Sequence, residues 1–296
     1  MKAFEYSTPL KAQVPTKLAL FSDIHKDSPD FDKDAFESHA NYCLADKRYM
    51  LFNGDLFDAI LLKDQKRAVP HLVERTDNQL NVKLEEMAHF LYPYKDLILF
   101  MGRGNHEESI LKYNGIDLIQ MLVLMLNADS NHKIQYGNYA NFLRFSWTKG
   151  TRALAHYDIF AHHGAGGSAP QTKGMLDFAA LAKGVNADLI WLGHKHNALV
   201  DYSAPIMYVD NNGKVILKNR QLIETPSYQK GRSIDYNVNF AERFYNHTAL
   251  SGFGEVTLTP TYEDGKPIIK SEVKITNKPQ AVLGEVVSSK LIQRHR

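Results

Sequence analysis

Five times along this chain a short apolar run ends and a cluster of carboxylate, imidazole or amide side chains follows at once. "KLALF" (17–21) leads into "SDIH", "YMLF" (49–52) into "NGDLFD" and "LILFM" (97–101) into "GRGNHEE". "DIFA" (158–161) leads into "HHGAGG", and "DLIWL" (188–192) into "GHKHN". Runs of four or five residues rich in Leu, Ile, Phe and Tyr read as buried strands. Segments with helix-spaced apolar residues lie between them, over 30–47, 77–94 and 175–186, the second ended by Pro93 and the third by Gly184. Strands alternating with helices predict an α/β sheet with βαβ crossovers. In such sheets ligands gather beyond the carboxyl ends of the strands, and all five polar clusters fall there.

Collected, those clusters offer Asp23, His25, Asp55, Asp58, Asn105, His106, Glu107, His162, His163, His194 and His196. Carboxylate, imidazole and carboxamide oxygen suit Zn, Mn, Fe or Co rather than a metal that prefers thiolate. Asp23 and His25 are two apart, so at a strand end both face one side and can reach one ion. His194 and His196 repeat that spacing, which turns Lys195 away or up toward a substrate oxyanion. Asp55 can offer two oxygens and bridge two ions, and Asn105 an amide oxygen. The glycines at 164–167 could form an anion nest, but no G-x-x-x-x-G-K-[ST] pattern is present. They read as a sharp exit from a ligand histidine.

Composition narrows the class further. The 296 residues are 44% hydrophobic and 23% charged, with net charge +2. That length suits one large α/β domain with elaborations or two small domains, the composition is ordinary for a soluble globular protein, and the charge gives no argument for nucleic acid or an anionic membrane as partner. The single cysteine, Cys43, excludes an intramolecular disulfide framework and fits a reducing, cytoplasmic setting. It reads as a small buried hydrophobe. The N-terminal stretch lacks the apolar core of a signal peptide. "GIDLIQMLVLMLNAD" (115–129) is shorter than the ~20 residues of a membrane span and reads as a core helix. His39, His71, His89, His132, His156, His247 and His295 lie outside the blocks and read as structural. The basic runs at 63–67 and 229–232 read as solvated loops, and Arg103 as a surface residue or a phosphate ligand.

The last third changes character. Residues 206–219 predict a hairpin around Asn211-Asn212-Gly213, and 255–276 a second around Asp264-Gly265. Residues 227–247 are aromatic-rich and irregular. This part reads as a second sheet layer or a β-rich extension of the same domain, with a loosely held tail over 278–296.

The ordered series "DIH" (23–25), "GDLFD" (54–58), "GNHE" (104–107), "HHG" (162–164) and "GHKH" (193–196) resembles the calcineurin-like metallophosphoesterases. One block alone would be weak; all five, in order over residues 23 to 196, are specific. The resemblance implies an α/β fold, a four-layer α/β/β/α sandwich with a β-rich C-terminal extension. The motifs end at 196 and none transfers beyond about 200; the chain as a whole reads as a single domain over 1–296, with a motif-bearing core at 17–200 and a β-rich part at 201–277. The resemblance implies two divalent metal ions (Mn, Fe, Zn or Ni, with Mn favoured). Asp23, His25, Asp55 and His196 would hold one; Asp55, Asn105, a histidine of "HHG" and His194 the other. His162, directly after the strand, is preferred over His163 as that histidine. His106 would serve the leaving group, supported by Asp58, and Glu107 would stand behind the ligands. The implied activity is phosphate-ester hydrolysis, with a phosphodiesterase preferred, by a hydroxide bridging the ions. A DNA exo- or endonuclease and a non-catalytic binding scaffold are the alternatives. Phosphate esters are the expected partners, with nucleic acid an open substrate class, no membrane, and nothing to indicate a protein partner.

Overall fold

The computed structural model describes residues 1–9, 13–60, 78–166, 175–202, 205–209, 213–230 and 250–277. In chain order the elements are β1 (Lys2–Pro9), β2 (Thr16–Phe21), α1 (Lys33–Ala45), β3 (Tyr49–Asn53), α2 (Gln79–Leu91), a 3-10 segment (Tyr92–Leu97) and β4 (Ile98–Gly102). Next come α3 (Asn105–Asn114), α4 (Leu118–Leu126), β5 (Gln135–Tyr136), β6 (Ala140–Lys149), β7 (Arg152–His162), α5 (Met175–Gly184) and β8 (Leu189–Leu192). The chain then forms β9 (Leu199–Asp201), β10 (Ile206–Val209), β11 (Val215–Lys218), β12 (Gln221–Glu224), β13 (Gly252–Glu263) and β14 (Lys266–Asn277).

Two six-stranded sheets result, ordered β14-β13-β2-β3-β4-β5 and β1-β6-β7-β8-β12-β9. In the first, β2 to β5 run parallel while β13 and β14 are antiparallel. In the second, β7, β8 and β12 run parallel, β6 is antiparallel to β7, and β9 to β12.

Side chains sort by strand parity, except in β4, where a register shift against β3 places Ile98 and Met101 on the outer face and Phe100 between the sheets. Leu18, Leu20, Leu51, Ile159, Ala161, Leu189 and Trp191 fill the space between the sheets. Ala19, Phe21, Met50 and Phe52 face α1, α2 and α4 on the outside of the first sheet. Phe160, Ile190, Leu192 and Leu222 face α5, through Phe178, on the outside of the second. Both faces of the central strands are therefore buried, which is why they read as continuous apolar runs instead of alternating ones. Each fully buried Leu or Phe contributes roughly 1.5–3 kcal/mol. The layers are helix, sheet, sheet, helix, as expected.

All five apolar runs are strands, and the three helix-spaced segments contain α1, α2 and α5. Residues 118–126 form a helix with Leu118, Ile119, Leu122, Val123 and Leu126 buried, though Leu124 is 66% exposed. Among the described residues no single helix is long and apolar enough to cross a membrane. Both hairpins form, as β10–β11 and β13–β14. The C-terminal strands are shared out: β9 and β12 complete the second sheet, and β13–β14 extend the first beside β2. Cys43 is buried. Asn211 and Asn212, the basic run at 63–67, His71, Gly167, most of 227–247, His295 and the tail at 278–296 lie outside the described residues.

Candidate metal centre

The carboxyl ends of β2, β3, β4, β7 and β8 converge at one edge of the sandwich, and each ends in a polar cluster. The backbone there is unusual. Asp23, His25, Asp55, His194 and His196 all have positive φ, between 46° and 72°. Left-handed backbone costs a residue with a Cβ about 1–2 kcal/mol, and such outliers gather where function demands a geometry. Here hydrogen bonds between loops hold them: Asp23 N donates to Gly54 O (3.1 Å) and His25 N to Asp55 O (3.0 Å). His194 N donates to both oxygens of Asp23, at 3.1 and 2.9 Å. At Gly104 a Cβ would lie 2.1 Å from Asp55 Oδ1, so only glycine lets the two loops meet.

Three overlapping groups could each hold an ion: Asp23, His25 and His196; His25, Asp55 and His106; Asp55, His163 and His194. His163 Nε2 lies 3.1 Å from Asp55 Oδ2 and 3.1 Å from Asn105 Oδ1. His196 Nε2 lies 3.4 Å from Asp23 Oδ1, and His25 Nε2 3.9 Å from Asp55 Oδ2. Ligands about 2.0–2.2 Å from a shared ion stand at such separations. Two ring nitrogens are already committed as donors. His163 Nδ1 donates to Asn53 O (2.6 Å) and His194 Nε2 to Gly166 O (3.0 Å). That fixes which nitrogen of each keeps its lone pair for a metal. His25 supplies the sharpest observation: both ring nitrogens are buried and neither makes a hydrogen bond. A buried polar atom without a partner needs a reason, and a cation among Asp23, Asp55 and His196 is one the donor chemistry fits.

The structure brings His163, and not the preferred His162, into the cluster. His162 ends β7 on the parity of Phe160, outside the second sheet, and its Nδ1 accepts from Gly164 N (2.9 Å). His163, one residue on, turns between the sheets into the cluster. Gly164 has φ +114, and a Cβ there would lie 2.8 Å from His194 Cβ, so the glycine lets the loop turn tightly past a neighbouring histidine. His106 sits at the first turn of α3, its Nδ1 2.6 Å from Asp58 O and 3.3 Å from Asp58 Oδ1. Its Nε2 is 3.9 Å from Asp55 Oδ2. Asp58 Oδ1 also stands 3.4 Å from His25 Nδ1.

Glu107 is fully buried and clamps two loops. It accepts from Asp55 N (3.0 Å), Phe57 N (3.0 Å) and Gly104 N (2.8 Å). Lys195 faces neither solvent nor the cluster but pairs with Asp177 of α5. Arg103 is committed to Asp117 (3.2 Å) and Glu108 (3.1 Å). Supporting residues missed from the sequence sit after β12. Ser227 Oγ and Tyr228 N both donate to Asp23 O (2.9 Å each), and Thr225 Oγ1 lies 2.7 Å from Ser22 Oγ. No apolar run announces them: β12 reads "QLIE", two apolar residues between a glutamine and a glutamate.

Charge follows from this packing. Burial alone would raise Asp23, but the His196 hydrogen bond and the charges of His163 and His196 bring it down to about 2. Asp55 is likewise buried yet held well below the usual carboxylate range by His163 and His106. Burial works against a proton on His163, and the Asp55 charge overcomes it, raising the imidazole to about 10. Burial and Asp55 push Glu107 up to about 7 against the pull of its backbone donors.

A family model described as calcineurin-like phosphoesterase matches residues 16–198. No curated protein matches the chain significantly. Among solved structures, vacuolar protein sorting 29 from Cryptosporidium parvum is 13% identical, with TM-score 0.36, covering 89% of this chain and 99% of its own. Wild-type Vps29 from Entamoeba histolytica, complexed with zinc, is 9% identical, with TM-score 0.34, covering 88% and 98%. GAP50 of Plasmodium, described as the anchor in the inner membrane complex, is 12% identical, with TM-score 0.40, covering 93% and 92%.

Proposed function

From the fact that this chain belongs to the calcineurin-like phosphoesterase family, we propose that it hydrolyses phosphate esters, with phosphodiesters its preferred substrates. Two divalent cations, Mn²⁺ the favoured ion, would sit side by side. Asp23, His25, Asp55 and His196 would hold one, and Asp55, Asn105, His163 and His194 the other. The observation that carries this reading is Asp55, which takes part in two of the ligand groups and is buried between their histidines. When bound, such a pair of ions polarises phosphoryl oxygens and lowers the pKa of a water to about 7.

The chain's own residues do the rest. Asn105 and the buried carboxylates fix the ligand geometry without needing to move, so charge that develops on phosphorus meets a preorganised site. His106 is the proton donor to the departing oxygen. With its Nδ1 on the Asp58 carbonyl, the ring is turned so that Nε2 faces the cluster. Glu107 keeps the two loops that carry Asp55, Asn105 and His106 in register.

A substrate panel with Mn²⁺ tests the class: aryl monoesters, bis-p-nitrophenyl phosphate, cyclic nucleotides, and single- and double-stranded DNA. The proposal expects the diesters to turn over fastest. Cleavage of DNA alone would make the chain a nuclease. No turnover of any member would overturn the enzymatic reading.

A further inference from the structure

Asp27 is a buried carboxylate outside the ligand set. It follows the β2 cluster and reaches the loop after β3, where its Oδ1 accepts from Asp58 N (2.5 Å) and its Oδ2 from Ala59 N (3.0 Å). Lys83, on α2, braces it from behind at 2.8 Å. Both side chains are largely buried, at 4% and 14% exposure, so the pair is a fixed internal strut rather than a solvated surface contact, which would contribute little. The clamped backbone is awkward by itself, because Ala59 has φ 49°, and two charge-assisted hydrogen bonds are strong enough to hold it.

What the clamp holds is Asp58. Its carbonyl oxygen is 2.6 Å from His106 Nδ1, and its carboxylate lies within 3.4 Å of His25 and 3.3 Å of His106. A shift of this loop would therefore turn the His106 ring. We infer that Asp27, braced by Lys83, is a positioning residue that aims His106 at the leaving group by clamping the loop whose carbonyl receives the His106 Nδ1 proton. This rests on the hydrolytic reading above. In the reaction a water oxygen bonds to phosphorus and releases a proton to solvent as the bond to the leaving oxygen breaks. The His106 imidazolium gives its Nε2 proton to that oxygen, and solvent restores the proton. General acid help of this kind is worth about 10²–10⁴-fold, and most where the leaving oxygen is a strong base.

The test compares wild type, Asp27→Ala, Asp27→Asn and Lys83→Met on aryl phosphate esters of graded leaving-group basicity, alone and combined with His106→Ala. Asp27→Ala should lose about 10-fold or more in kcat on the most basic leaving groups and little on p-nitrophenol, with KM and metal content unchanged. The loss should vanish in the His106→Ala background, because the two act as one unit. Lys83→Met keeps the Asp27 side chain and should show the same pattern more weakly. That variant keeps the test meaningful should Asp27→Ala not fold. In the metal-free protein, nitrogen NMR of the imidazoles should show His106 protonated at Nδ1 in wild type and redistributed in Asp27→Ala. A loss equal across all leaving groups, or additive with His106→Ala, or an unchanged His106 tautomer would overturn the inference. If wild type turns over no ester, the hydrolytic reading fails instead, and the NMR comparison still decides whether Asp27 positions His106.

Discussion

His163 Nδ1 lies 2.6 Å from the carbonyl oxygen of Asn53, and this contact separates two histidines that are adjacent in sequence. It commits one nitrogen of His163 as a donor, so Nε2, 3.1 Å from Asp55, is the nitrogen left to exchange its proton for a metal. His162 instead accepts from Gly164 on the other side of the sheet. His163→Ala should cost about 10²-fold or more in turnover, beyond the 10–100-fold typical of groups that only support a metal ligand. His162→Ala should keep both ions and most activity. Metal analysis of the purified variants checks this; the reverse pattern would return the ligand role to His162.

Glu107 is the next point of leverage. Replacing it with Ala leaves three buried backbone N–H groups without an acceptor, at about 1–3 kcal/mol each. Glu107→Ala should lower unfolding free energy by roughly 3 kcal/mol or more in urea titrations, and Glu107→Gln by less. A midpoint unchanged in Glu107→Ala would mean the clamp contributes nothing.

Gly104→Ala is a purely steric test. The backbone of Gly104, at φ −108°, suits any residue, yet the new methyl would meet Asp55 Oδ1 at 2.1 Å. The variant should fold with near-normal circular dichroism and bind metal about 10-fold or more weakly, as when a ligand's support is lost. Wild-type metal affinity in this variant would show that Asp55 need not sit where it does.

The pH dependence of the metal-free protein has a definite sign. His163, raised from 6.5 to about 10, contributes stability that is fully present below pH 6.5 and lost as pH climbs through about 10. Asp23, lowered from 3.8 to about 2, contributes stability present above pH 3.8 and lost as pH falls toward 2. Chelated protein should therefore melt at progressively lower temperature from pH 7 to 10. Metal binding displaces the His163 proton, so affinity should rise over the same range. Melting curves with and without chelator test both; a chelated protein that gains stability with pH would contradict the charge assignment.

Much of this was legible because the central strands carry one message twice: an apolar run long enough to be a strand, then donors at its carboxyl end. β1 and β6 gave no such message. Neither ends in a cluster of metal-binding donors, so nothing local marks "KAFEYSTP" and "ANFLRFSWTK" as strands of this sandwich. The His162–His163 ambiguity has a physical root as well. Ile159 and Ala161 face inward while Phe160 faces outward, both sides apolar, so composition cannot say which parity meets the cluster. Asp27 and Ser227 were hidden for another reason. Their partners are backbone atoms, 31 residues away for Asp27 and 204 for Ser227, and no local pattern marks a side chain whose task is to hold distant backbone.

The central claim is a pair of ions that share Asp55, with Asn105 holding the second. It is met most directly by counting metal per chain and measuring bis-p-nitrophenyl phosphate turnover with Mn²⁺, for wild type and Asn105→Ala. Two ions and ready turnover in wild type, with one ion lost and turnover down about 100-fold in Asn105→Ala, is the predicted result. Equal metal content and equal rates in the two proteins, at equal purity, would contradict it.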